Sequence, residues 1–205
     1  PRGMIYVPPG PYISGRMNHD PFANKNAERL HETVQIAGFM IDAFEFPNEK
    51  NGTPTARTTW KDAQATCKTK GKRLCSTQEW EKACKGPLNY IYSYGDTWDE
   101  SFCGEGMTTE HISGQNNECR SGWGVFDMSG GLKEWTGNRP PNEPSRRVVK
   151  GGTLSNPEKG TRCAYTSDES ANYSHATLAF RCCRDVDAPP IVSPAAPEPA
   201  DTDTK

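Results

Sequence analysis

Hydrophobic and polar positions keep a regular period over short stretches only. Met4-Ile5-Tyr6-Val7, followed by Pro8-Pro9-Gly10, reads as a strand stopped by a turn, and Val34 to Phe46 alternates as one or two strands. Two later stretches switch to helical spacing. Thr59 opens the first, with Asp62 in a capping position and Trp60, Ala63 and Cys67 along one face until Gly71. Ser76-x-x-Glu79 forms a capping box for the second, Trp80, Ala83 and Cys84 fall on one stripe, and Gly86-Pro87 stops it. The rest reads as short strands between Gly, Pro and Asn clusters, including Gly151-Gly152, with a closing strand over Leu178 to Cys183. The expected class is α+β with little regular secondary structure: two helices and short antiparallel strands.

Composition agrees with that pattern. The 205 residues are 33% hydrophobic, contain 19 Gly and 17 Pro, and have a mean hydropathy of -0.83, values that favour turns over long helices. One globular domain, residues 1–186, is expected, followed by a Pro/Ala/acid-rich disordered tail, residues 187–205. The net charge is -2 and the basic residues are scattered, so nucleic acid is not an expected partner. The apolar stretch Gly38 to Phe46 is broken by Asp42 and Glu45 and falls short of the ~20 residues of a membrane span. The chain starts at Pro1 with no basic-then-apolar leader, so a mature or trimmed product is expected, whose targeting signal, if any, is not shown.

Eight cysteines change the picture most. The number is even and no Cys-x-x-Cys pair occurs, so disulfides are expected rather than zinc thiolates, and with them an extracytoplasmic location: periplasmic, cell-surface or secreted. Spacing alone leaves every connectivity open. The sequons at Asn51 and Asn172 would carry glycans only in a eukaryotic source.

An ordered set of segments resembles the formylglycine-generating enzyme (FGE-sulfatase) family. The set comprises Met4 to Gly10, Phe39-Met40-Ile41-Asp42, Trp60-x-Asp62-Ala63, Gly71-Lys72-Arg73-Leu74, Glu79-Trp80-Glu81, Tyr94-Gly95-Asp96, Gly124 to Gly130, Glu134-Trp135, Lys150-Gly151-Gly152, Arg162-Cys163-Ala164 and Phe180-Arg181-Cys182. The resemblance implies a disulfide-stapled, C-type-lectin-like core. It implies pairing of Cys67 with Cys182 and of Cys84 with Cys163, from two helices to two late strands. Cys75 is then matched with the extra Cys183, and Cys103 with Cys119 across a local loop.

The family's oxidases hold copper(I) with two cysteines shortly after the Gly-Gly turn. The corresponding stretch, Thr153 to Thr161, contains none, so the soft thiolate ligands are missing and no copper is expected. His19, His31, His111 and His175 are isolated in sequence and show no metal-ligand spacing. No nucleophile elbow is present, and Glu79 and Glu81 read as a cap and a solvated helix face rather than an acid pair. Catalysis of the formylglycine type is therefore not expected.

Phe126 to Trp135 resembles the family's calcium loop. Carried over, the ligands are Asp127, Gly130, Leu132 and Glu134, oxygen donors suited to a hard cation, although Gly130-Gly131 stands where the family usually has Gly-Asn. A second reading stays open, in which Asp127 caps a turn and Glu134 pairs with an arginine such as Arg139. A further family calcium site near Phe102 to Asn117 has no recognisable ligands and is not assigned. Trp98, Trp123, Trp135, Tyr90, Tyr92 and Tyr94 are candidates for core or for a ligand groove. The leading functional expectation is a noncatalytic, calcium-stabilised binding or scaffold domain of a secreted or surface protein. Its partner would be a protein or glycan ligand, or other subunits of an extracellular assembly. The alternative is an oxidoreductase of the same superfamily with ligands not recognisable in the sequence.

Overall fold

A computed structural model describes residues 3–18, 20–104, 110–152 and 156–186. The expected tail from Asp187 to Lys205, together with His19 and Thr153 to Ser155, lies outside the described residues. No described helix is long and apolar enough to cross a membrane.

Among the described residues ten short strands form three small sheets, accompanied by four helices. In the first, β1 (Met4–Val7), β4 (Phe39–Asp42), β10 (Cys182–Asp185) and β5 (Arg73–Leu74) lie side by side in that order, all antiparallel, with Ile5 opposite Ile41 and Cys183 opposite Ile41 across the other edge. The second pairs β2 (Gly10–Ser14) with β3 (Glu32–Ile36). The third has the order β8 (Ser167–Ser170), β7 (Arg146–Lys150), β6 (Lys133–Trp135) and β9 (Leu178–Phe180). Its β6–β9 pair is parallel, a departure from the all-antiparallel expectation. The alternating stretch Val34 to Phe46 divides into β3 and β4, which belong to different sheets.

The expected closing strand is also two strands. The chain leaves one sheet after Phe180 and enters another at Cys182, with Arg181 as the joint. The pattern of the stretch cannot reveal this, because the residues on both sides of Arg181 are equally buried.

Helix α1 (Trp60–Thr69) starts where Thr59 accepts a hydrogen bond from the Asp62 amide, and it buries Ala63 and Cys67. Helix α2 (Thr77–Lys85) carries the full capping box between Ser76 and Glu79, and Gly86 receives its end. Two single-turn helices add to the expected pair: α3 (Glu100–Cys103) and α4 (Pro157–Gly160), the latter with Pro157 at its first position, where no amide donor is needed.

Four disulfides staple these pieces: Cys67–Cys182, Cys75–Cys183, Cys84–Cys163 and Cys103–Cys119. Cys67–Cys182 and Cys84–Cys163 are the pairs that the family resemblance implies, and the other two join the cysteines it leaves over; Cys163 lies in a turn after α4 and not on a strand. Two apolar clusters flank the sheets. One gathers Val7, Phe39, Ile41, Trp80, Val125 and Met128, and the other Ala63, Leu74, Trp135, Val149, Leu178 and Phe180. Short elements can bury little area each, so the cross-links that close long loops carry a large share of the stability.

Candidate functional site

Between the sheets lies an ionic centre. Arg181, fully buried, reaches Glu134 with Nε and Nη2 at 2.7 Å and donates to the carbonyls of Asp42, Ala43 and Phe126. Trp80 Nε1 donates to the same Glu134 carboxylate at 2.9 Å. Two carboxylate oxygens offer about four acceptor positions, and these three N–H donors use most of them. Glu134 thus pairs with an arginine, but with Arg181 and not Arg139. Its carboxylate is not free to join a cation without giving up these partners.

Asp127 takes a different direction. Its backbone has φ +61°, its amide donates to the Cys119 carbonyl, and its Oδ2 accepts from the Gly114 amide at 2.6 Å. Beside it stand Glu45 and His111, each able to offer one ligand atom, with all three atoms within 4.8 Å of one another. Phe44 stacks on Phe126 and Phe46 on Phe180, so the short stretch between them is clamped on both sides with Glu45 buried in the middle. Ser113 donates to Glu45 Oε2 at 2.7 Å.

His111 Nε2 lies 3.0 Å from Glu45 Oε1 and 3.7 Å from Asp127 Oδ2. The distance to Glu45 is that of an ion pair, yet the two atoms are not aligned for a hydrogen bond, and both are buried without a hydrogen-bond partner among the described residues. The distance establishes proximity and the misalignment governs bonding, so we read the pair as close charges and not as a formed hydrogen bond. Burial, with the Glu45 carboxylate beside it, pushes the Asp127 carboxyl up to about 7. Burial would lower the His111 imidazolium, but Glu45 and then Asp127 outweigh it and raise it.

Gly131 completes the surround. A Cβ there would lie 2.8 Å from His111 Cε1 and 3.3 Å from Glu45 Oε1, so the ring fills the space a side chain at 131 would need. The missing asparagine of the Gly-Asn pattern is thereby accounted for by packing. Of the four residues carried over as calcium ligands, Asp127 faces the cluster, Glu134 faces Arg181, and Gly130 and Leu132 are buried in the connecting loop.

A cavity of about 330 Å³ opens elsewhere, next to α4. Ile91, Tyr92, Trp98, Asp96, Glu158 and Arg162 line it, with Phe22 at its rim, 66% exposed. Arg162 is buried against Asp20, lies 2.9 Å by its Nε from Glu28, and donates to the Tyr92 hydroxyl at 3.1 Å. Of the candidate groove aromatics, Trp98 and Tyr92 reach this cavity, Trp135 is core, and Trp123 lines a separate shallow depression.

Glu81 corrects another expectation. It is 4% exposed rather than solvated, because the segment after β2 folds over α2: Glu81 accepts from the Gly15 amide at 2.6 Å and lies 3.7 and 3.9 Å from Lys85 and Lys150. Burial lowers Lys150 to about 8, despite Glu81. Sequence reading missed both Glu45 and His111 as members of a site. The residues lie far apart in sequence, and the alternating context of Glu45 was indistinguishable from a solvent-facing strand position.

The architecture is the C-type-lectin-like fold. Its solved likenesses include PvdO from Pseudomonas aeruginosa, at a TM-score of 0.70 and 14% identity over 89% of this chain and 94% of that one. Treponema denticola variable protein 1 follows at 0.65 and 14%, over 89% and 95%. Residues 47–186 match the FGE-sulfatase model, described as the sulfatase-modifying factor enzyme 1-like domain, and the chain belongs to that family. Among relatives, the inactive C-alpha-formylglycine-generating enzyme 2 of Bos taurus is 26% identical over 69% of this chain and 54% of its own length. The formylglycine-generating enzyme of Mus musculus is 26% identical over 64% and 44%. The chain therefore spans about half the length of the curated relatives it matches.

Proposed function

We propose that the chain is a noncatalytic binding domain of a secreted or cell-surface protein, and that its ligand, a glycan, enters the cavity beside Tyr92 and Trp98. One observation carries the reading: all eight cysteines are engaged in disulfides, so no thiol remains to hold copper(I) or to oxidise a substrate cysteine. The relative named as inactive supports it. Four bridges also favour an oxidising compartment outside the cytoplasm.

The cavity lining supports the ligand class. A flat aromatic face at Trp98 offers stacking for a sugar ring, and Asp96 and Glu158 offer acceptors for hydroxyls. Calcium is the ion the resemblance implies. To bind it with Asp127, Gly130 and Leu132, Glu134 would have to leave Arg181 and Trp80.

Two measurements test the reading. Glycan-array binding by the purified, oxidised protein is expected, with loss of signal in Trp98→Ala and Phe22→Ala. Incubation with copper(I), oxygen and a cysteine-containing sulfatase peptide is expected to yield no aldehyde. Aldehyde formation overturns the noncatalytic assignment, and array binding that persists in both variants overturns the cavity.

A further inference from the structure

Glu45, His111 and Asp127 come from three separate stretches: the turn after β4, the approach to Ser113 and the loop before β6. Nothing in the hydrogen-bond scheme requires their carboxylates and imidazole to converge. Glu45 Oε1 and His111 Nε2 are nevertheless both buried, 3.0 Å apart, and without hydrogen-bond partners among the described residues. Such atoms are costly unless something else satisfies them.

Ser113 orients Glu45 through its other oxygen, Oε2, and the Gly114 amide donates to Asp127 Oδ2, the oxygen that lies 3.7 Å from His111 Nε2. This is the arrangement of outer partners that aims metal ligands. Gly131 leaves room for the ring where any side chain would collide with it.

We propose that these three side chains form a binding site for one divalent first-row transition ion, with His111 Nε2 and one oxygen each of Glu45 and Asp127 as ligands. Ligand bonds of about 2.0–2.2 Å at tetrahedral angles place donor atoms roughly 3.4 Å apart. The observed separations of 3.0 and 3.7 Å from His111 Nε2 bracket that value. An imidazole nitrogen with two carboxylates is a donor set for zinc, manganese or iron, whereas calcium asks for six to eight oxygens at longer distances.

Charge points the same way. Glu45, Asp127 and Glu134 are three buried carboxylates facing one buried guanidinium, Arg181. A dication with a neutral imidazole brings this group to neutrality without a proton on either ligand carboxylate. A cavity of about 270 Å³, lined by His111, Leu132, Arg57 and Thr53, reaches the ring from the surface and leaves a route to the fourth position.

This inference is independent of the glycan cavity. The oxidised protein is stripped with chelator and titrated calorimetrically with zinc chloride alone, and bound metal is counted by mass spectrometry after dialysis. One zinc per chain is expected. His111→Gln and Glu45→Gln each lower the affinity by more than about 100-fold, beyond what loss of an outer partner costs. His31→Gln and His175→Gln leave it unchanged. Cobalt(II) in place of zinc gives a visible d–d absorption that His111→Gln alters. Absence of zinc binding by protein with native near-ultraviolet dichroism overturns the proposal. So does calcium binding that survives His111→Gln and Glu45→Gln but not loss of Glu134, which would place the ion at the oxygen-only set.

Discussion

Replacing Gly131 with alanine adds one carbon at a point 2.8 Å from His111 Cε1 and 2.9 Å from its Nε2. Two costs arise. The backbone at 131 has φ +65°, and an alanine held there loses about 1 kcal/mol relative to glycine. The collision adds a second cost, because carbon atoms prefer about 3.5–4.0 Å and the His111 ring must turn off its rotamer, at roughly 0.5–1.5 kcal/mol. A total of about 2 kcal/mol is expected, and for a chain of this size Tm falls by about 4–8 °C. The two costs separate in a double-mutant cycle with His111→Ala, measured by reversible denaturant unfolding with the disulfides intact. Gly131→Ala in the His111→Ala background should retain only the backbone cost, leaving a coupling of about 1 kcal/mol. Equal losses in both backgrounds would refute the claim that the imidazole occupies the space above Gly131.

Arg181→Met leaves Glu134 buried without its guanidinium and is expected to cost about 3–5 kcal/mol, whereas the double change with Glu134→Gln restores part of it; chemical denaturation reads both. Joint replacement of Cys75 and Cys183 by serine opens a loop spanning 108 residues and should destabilise by about 4–5 kcal/mol or less, since the neighbouring Cys67–Cys182 bridge already restrains the same chain. Lys150, lowered by burial to about 8 against 10.5 when unfolded, binds its proton more readily in the unfolded chain between those values. Stability should therefore rise with pH from 8 towards 10 relative to Lys150→Met, by at most about 3 kcal/mol, and a pH-independent difference between the two proteins would contradict this. Ser76→Ala removes half of the capping box of α2 and should cost about 1 kcal/mol, seen as a shift in denaturation midpoint.

Local chemistry was legible in the chain itself. Thr59 with Asp62 and Ser76 with Glu79 mark both long helices, because a cap acts over three residues and needs no distant partner. The stripe of Trp80, Ala83 and Cys84 is buried for the same reason: helical period alone puts the three on one face. The cysteine count pointed to disulfides, but the pairing of Cys67 with Cys182 and of Cys84 with Cys163 came from likeness to a family, since loop closure between residues 115 and 79 apart leaves no trace in spacing. Only the tertiary structure decided that Arg181 parts two strands of different sheets, that Glu81 is covered by the segment after β2, and that Glu45 meets His111 and Asp127. Each of these depends on which surfaces meet when short elements pack. A single buried carboxylate in an alternating stretch has the same sequence signature as an exposed one, and burial is what changes its chemistry.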